Sequence, residues 1–147
     1  MVCFSASYLA PGMVKFRFKV CHLTSAHPRN DIRIFVKECR SLASAEYQVS
    51  LIVADGKGDD ELDTIKIYDV GKSGGRFSRM TKTVQKVYRK ALSLNADVYH
   101  FHDPELMLIA AEIQKKGKKV VYDVHEDLPR QLFGKAYLGK ISATILS

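Results

Sequence analysis

The residues in this chain that could do chemistry are gathered at a few places. There are five histidines, His22, His27, His100, His102 and His125, and three acids stand beside them, Asp103, Glu126 and Asp127. Every histidine falls in the last residues of an apolar segment that reads as a strand, or just beyond it. Histidine and carboxylate together relay protons, grip sugar hydroxyls or hold a metal. His100 and His102 would point to one face of a strand, as a metal-binding HxH pair does. The common HxHxDH pattern then wants aspartate at position 104, where Pro104 stands, so no metal site is expected. His22 and His100, inside strands, are expected to be hydrogen-bonded core histidines. His27, His102 and His125 are expected at a site, because loops at strand ends carry function.

Two phosphate-binding motifs fail on inspection. A Walker A loop would need glycine at 66 ahead of Gly71-Lys72-Ser73, and Lys66 is there. A dinucleotide fingerprint would need GxGxxG where the sequence reads TSAHPRND. Neither nucleoside triphosphate hydrolysis nor NAD binding is encoded in the usual way, and no cofactor is expected. Gly71–Arg76, GKSGGR, reads as a flexible surface loop.

The elements that must position these groups alternate. Phe16–Leu23 reads as strand 1. A polar loop follows, and Asp31 is a credible N-cap for a helix with Ile32, Phe35, Val36, Cys39 and Leu42 at helical spacing. Val49–Ala54 is a short apolar run, as in a strand buried on both faces. Asp55–Asp63 reads as a charged turn and Thr64–Val70 as strand 3. Helix 2 carries Phe77, Met80, Val84, Val87, Tyr88 and Ala91 on one side. Val98–His102 is strand 4. Helix 3 starts with Asp103 as N-cap, Pro104 in its first turn and Glu105 beside its positive end, and Gly117 stops it. Lys119–Val124 is strand 5. This alternation predicts an α/β fold, a Rossmann-like three-layer α/β/α sandwich with a mostly parallel sheet in the order 3-2-1-4-5. The winding reverses between strands 1 and 4, where ligands bind in such folds.

A chain of 147 residues predicts one domain. No apolar run approaches the ~20 residues that cross a bilayer. The net charge of +7 is spread along the chain. It reads either as a solvated basic surface or as attraction to phosphates and acidic lipid headgroups. Nucleic acid is not expected as a partner, since no recognition motif accompanies the charge. Lys82, Lys86, Arg89 and Lys90 on helix 2 form either a solvated face or a peripheral contact with an anionic membrane. The three cysteines, Cys3, Cys21 and Cys39, form no CxxC pair. Cys21 and Cys39 read as buried small hydrophobes, and a reducing cytoplasm is inferred. Residues 1–15 stand outside the pattern and are expected to be an extension. They lack the basic start of a signal peptide.

Three stretches, TSAHPRNDIRIFVKECRSLA, VYHFHDPEL and KKVVYDVHEDLP, together resemble the N-terminal domain of family 4, GT-B-fold glycosyltransferases. HDPEL followed some twenty residues later by YDVHED is the specific part. The resemblance implies retaining transfer of a sugar from a nucleotide-sugar donor to a glycan or lipid-linked acceptor, by an enzyme of polysaccharide biosynthesis. It also implies that this domain, residues 16–147, lies on the acceptor side of a cleft. His125 is similar to the family histidine beside the transferred sugar and is the expected catalytic residue. His102, Asp103 and Glu105 fall where an acceptor-side wall would be, with Glu126 and Asp127 beside His125. His27, Arg29 and Asp31 fall where donor phosphates and acceptor meet, and the planar fork of Arg29 suits an anion. Family members run to more than twice this length, so the C-terminal donor-binding domain is expected to be missing and the chain alone inactive. Half of a sugar-nucleotide epimerase of the same fold, or a non-catalytic sugar- or phosphate-binding module, are the alternatives.

Overall fold

The computed structural model describes residues 18–72 and 74–123. The expected extension 1–15, the catalytic candidate His125, and Glu126 and Asp127 lie outside the described residues.

Among the described residues six strands form one sheet: β1 (Lys19–Leu23), β2 (Gln48–Val53), β3 (Asp60–Leu62), β4 (Ile65–Asp69), β5 (Val98–Phe101) and β6 (Lys119–Tyr122). Three helical segments connect them. Segment α1 runs as a π-helix over Ile32–Cys39 and continues as an α-helical turn, Arg40–Ser44. Segment α2 comprises Arg76–Ser78, a π-helical turn Arg79–Thr83, and the α-helix Val84–Leu94. Segment α3 opens with a 3-10 turn, Pro104–Leu106, and continues over Met107–Lys115. Asn95 in the left-handed conformation closes α2. Gly117, at φ 76°, follows α3, where a side chain would be strained.

The strand order is β3-β4-β2-β1-β5-β6. The five strands expected from the sequence are all present and parallel in the expected order. The difference is β3, inside the stretch expected to be a charged turn. It pairs antiparallel with β4, from Asp60↔Ile67 to Leu62↔Ile65. Asp63 and Thr64 link the two strands with φ of 51° and 67°, both left-handed, as in a two-residue hairpin turn. All three β3 residues are exposed. A strand with no buried face has no hydrophobic pattern to read, and its acidic side chains keep the sheet edge from pairing further.

Each face of the sheet carries its own core. Cys21, Leu23, Ile52, Tyr99 and Phe101 pack against Val84, Val87 and Ala91 of α2 and Ile109, Ala110 and Ile113 of α3. The Tyr99 hydroxyl donates to the Ala91 carbonyl at 3.0 Å and accepts from the Ala96 N–H at 2.9 Å, so its polar tip is satisfied where it is buried. On the other face, Val49, Leu51, Val53, Ile65 and Ile67 pack against Ile34, Phe35 and Cys39 of α1. Cys21 and Cys39 are buried thiols, and burial pushes both upward in pKa, away from reactivity.

Two helix faces differ from expectation. Ile32 and Val36 of α1, and Phe77 and Met80 of α2, were expected on apolar stripes and are exposed. In each case the difference falls beside π-helical winding, whose i→i+5 bonds add residues to a turn. The inward residues of α1 include Ile34 and Cys39, five apart, and a 3.6-residue wheel does not superimpose them.

Candidate functional site

The chain leaves β1 towards β2 and β4 on one side, then returns to β5 and β6 on the other. The crevice at this reversal lies beyond the C-terminal ends of β1 and β5. Three polar constellations stand near it.

The first ties the loop after β1 to the turn before α3. The Asp103 carboxylate accepts from the Thr24 hydroxyl at 2.8 Å and from the backbone N–H groups of Ser25 at 2.6 Å and Ala26 at 3.3 Å. Asp103 occupies the N-cap position of α3, as expected, but its side chain makes no cap bond there. The three donors of the neighbouring loop hold it instead. Glu105 accepts from the Ser25 hydroxyl at 2.8 Å and pairs with Arg79 of α2 at 2.8 Å. His27 sits on this knot with Nδ1 3.5 Å from Asp31 and Nε2 3.4 Å from Asp103. Its side chain is one-third exposed, while that of Asp103 is buried. Asp31 also caps α1, accepting from the N–H groups of Arg33 and Ile34, both at 2.9 Å.

The second constellation is a histidine cluster. His22 and His100 are register partners on adjacent strands, on the face away from α2 and α3. His102, two residues beyond His100, joins them. The imidazoles are 4.5–5.3 Å apart between centroids, and His22 Nδ1 meets His102 Nε2 at 3.0 Å. Glu38 reaches in from α1. Its Oε2 lies 3.7 Å from His22 Nδ1, 3.8 Å from His100 Nδ1 and 3.7 Å from His102 Nε2. Behind Glu38 and His102 stands Asp123, just past β6 and 4.0 Å from His102 Nδ1. Arg33 holds Asp123 by two hydrogen bonds, at 3.0 and 2.6 Å, and approaches Glu38 at 3.5 Å.

Burial and the neighbouring His100 hold His22 down at about 3, so it is a neutral imidazole with a lone pair to offer. Burial, and then the facing Asp123 carboxylate, push Glu38 up to about 7, against the pull of Arg33. Three imidazoles and a carboxylate so placed can hold a metal or receive sugar hydroxyls.

The third constellation is a clamp. Arg29 donates to both oxygens of Asp55 at 2.8 Å, to Asp60 at 3.3 Å and to the Gly58 carbonyl at 2.7 Å. It is buried, and its fork fastens the loop after β2 to the loop after β1. The guanidinium hydrogen bond holds the Asp55 carboxyl down at about 2. Arg29 was expected to meet an anion of the substrate; the anions it meets are the chain's own.

Of the site residues expected from the sequence, the structure brings together His27, Asp31, Asp103 and Glu105 around the first knot. It sends His102 to the buried cluster and Arg29 to the clamp. His22 and His100, read as core histidines, are part of the cluster. Glu38, Arg33, Arg79 and Asp123 were not singled out. A signal for Glu38 existed in its position between the buried Phe35 and Cys39, on a helix whose inward face is otherwise apolar.

The family model for glycosyltransferase family 4 matches residues 33–146. The chain belongs to this family. A search of curated proteins finds no match. The matched region of this family 4 domain takes in α1 with Glu38, the strand carrying His100, and the HDPEL turn carrying His102, Asp103 and Glu105. His22 and His27 lie just ahead of it. No helix among the described residues is long and apolar enough to cross a membrane.

Proposed function

We propose that this domain forms the acceptor-side wall of a retaining glycosyltransferase, which moves a sugar from a nucleotide-sugar donor to a glycan or lipid-linked acceptor. The family membership of residues 33–146 is the observation that carries this reading. The placement of His27 supports it. A partly exposed imidazole, backed by Asp31 and Asp103 on a tied-down loop, suits an acceptor hydroxyl at the mouth of the crevice. His125, with Glu126 and Asp127, is assigned by resemblance to the side of the transferred sugar. The donor nucleotide is held by a second α/β domain across the cleft, and no metal or organic cofactor is assigned to the transfer step. The reaction takes place in the cytoplasm, at the inner face of a membrane where lipid-linked acceptors reside. The exposed Lys82, Lys86 and Arg89 on α2 lie near the exposed Phe77 and Met80, a combination suited to that surface.

The test is transfer of labelled sugar from a panel of nucleotide sugars to lipid-linked and free glycan acceptors, by the chain together with its donor-binding half. Acceptor-dependent incorporation is expected. His27→Ala should lower kcat/KM for the acceptor by ~10–100-fold, the worth of one charge-assisted hydrogen bond. Conversion of the donor sugar without any acceptor would favour the epimerase alternative. Binding of sugar without turnover of any donor would favour the binding module.

A further inference from the structure

We propose that His22, Glu38, His100 and His102 form a binding site for one divalent metal ion of the zinc type. The ion would pin α1 to the C-terminal ends of β1 and β5. The inference is independent of the transfer reading, and either can fail without the other.

The donor atoms are spaced for a shared ion. One donor atom from each of the four residues lies within 4.8 Å of all the others. Zinc–nitrogen and zinc–oxygen bonds of ~2.0–2.2 Å set a tetrahedral edge of ~3.3–3.5 Å between ligands. The edges here are 3.0 Å for His22–His102, 3.7 Å for Glu38–His22, 3.7 Å for Glu38–His102 and 3.8 Å for Glu38–His100. These four of the six edges bracket the ideal value, and the two between His100 and the other imidazoles lie within 4.8 Å, so the ligands must draw together by up to about an ångström to close on an ion. At 3.7–3.8 Å the carboxylate oxygen is too far for a hydrogen bond to any of the three imidazoles. It stands a few tenths of an ångström outside the edge that ligands of a common ion keep.

The ligands also stand on a rigid frame. Register pairing fixes His22 beside His100, and the alternation of the strand brings His102 to the same face. Glu38 comes from another element, the π-helical part of α1, so the site bridges layers. Two ligands arrive on the adjacent strands β1 and β5, His102 directly follows β5, and Glu38 comes from the helix above them.

Charged groups stand behind the ligands. When His102 offers Nε2 to an ion, its Nδ1 must carry the proton, and Nδ1 faces Asp123 at 4.0 Å. Asp123 is held by two bonds from Arg33, which also approaches the far oxygen of Glu38. At 4.0 Å Asp123 is beyond hydrogen-bond reach of Nδ1; it would have to close on the imidazole when the ion binds, and a carboxylate so placed behind a ligating histidine fixes its tautomer and raises its affinity. Three nitrogens and one oxygen favour a borderline ion such as zinc over magnesium or calcium, which prefer all-oxygen shells. Four protein ligands fill a tetrahedron, so the ion is a cross-link between layers.

The experiment uses the full 147-residue chain, stripped with a chelator and then given zinc or cobalt(II). One equivalent of zinc should survive dialysis, and cobalt should give the intense visible bands of a tetrahedral site. Glu38→Gln and His100→Asn, with folding checked by circular dichroism, should each weaken binding by at least ~100-fold, and Asp123→Asn by ~10-fold. His27→Asn, at the neighbouring knot, should bind as the unaltered chain does. Well under half an equivalent of zinc in the unaltered chain would overturn the proposal. So would folded Glu38→Gln and His100→Asn variants with unchanged affinity. Should those variants not fold, the cobalt spectrum of the unaltered chain decides, and pale octahedral bands refute the site.

Discussion

The Arg29 clamp and the histidine cluster are both buried, polar and built from residues far apart in sequence, yet they are completed differently. In the clamp, every oxygen of Asp55 has a donor within 2.8 Å. In the cluster, Glu38 Oε2 has no hydrogen-bond donor among the described residues. The clamp shifts its carboxyl down and the cluster shifts its carboxyl up. A carboxylate largely shielded from solvent is thus stabilised as an anion in one place and penalised as one in the other. A satisfied network holds a fold together. A carboxylate oxygen without a donor, such as Glu38 Oε2, is a cost to the fold that a bound ion would offset.

This contrast can be broken by experiment, starting with the largest effect. Arg29→Ala should leave the half-buried Asp55 carboxylate without its guanidinium partner, lowering unfolding free energy by about 3 kcal/mol in urea titration. A loss under about 1 kcal/mol would mean that the clamp is not structural. Asp103→Ala should cost about 2–3 kcal/mol, because it strands the Thr24 and Ser25 donors in a buried loop. Its effect should appear as faster hydrogen exchange in residues 24–27.

The acid limb sharpens the comparison. Asp55 is depressed from its ordinary 3.8 to about 2 when folded. The unfolded chain therefore takes up this proton first as pH falls. The stability that Asp55 contributes is fully present above pH 4 and is lost as pH falls towards 2. Asp55→Asn should flatten that limb while lowering stability at neutral pH. The smallest effect belongs to the cluster. In metal-free protein Glu38→Gln should change stability by less than about 1 kcal/mol, or raise it, because it removes a carboxyl that burial disfavours. A loss as large as that of Arg29→Ala would show that the two regions do the same work.

Much of the architecture was legible in the residues. Val49–Ala54 reads as a doubly buried strand because both core faces draw on it. Asp31 and Gly117 mark helix ends by chemistry that acts within a few residues. The β3 hairpin was not legible, since an exposed three-residue edge leaves no periodic signal. Nor was the inward face of α1, because π-helical winding depends on what the helix packs against. Glu38 was hidden for that reason. Arg29 was misplaced because an exposed anion grip and a buried clamp look alike until the positions of Asp55 and Asp60 are known.

By itself the sequence determined the α/β class, the parallel order and the concentration of histidines at strand ends. Period, cap and turn preferences are local, and the hand of the crossovers follows from strand twist. Only the tertiary structure decided which polar groups meet. His22, Glu38, His100 and His102 span eighty residues and three elements, and Arg29 finds its partners twenty-six and thirty-one residues away. Such meetings depend on sheet register and helix rotation, which are set by the packing of the whole core.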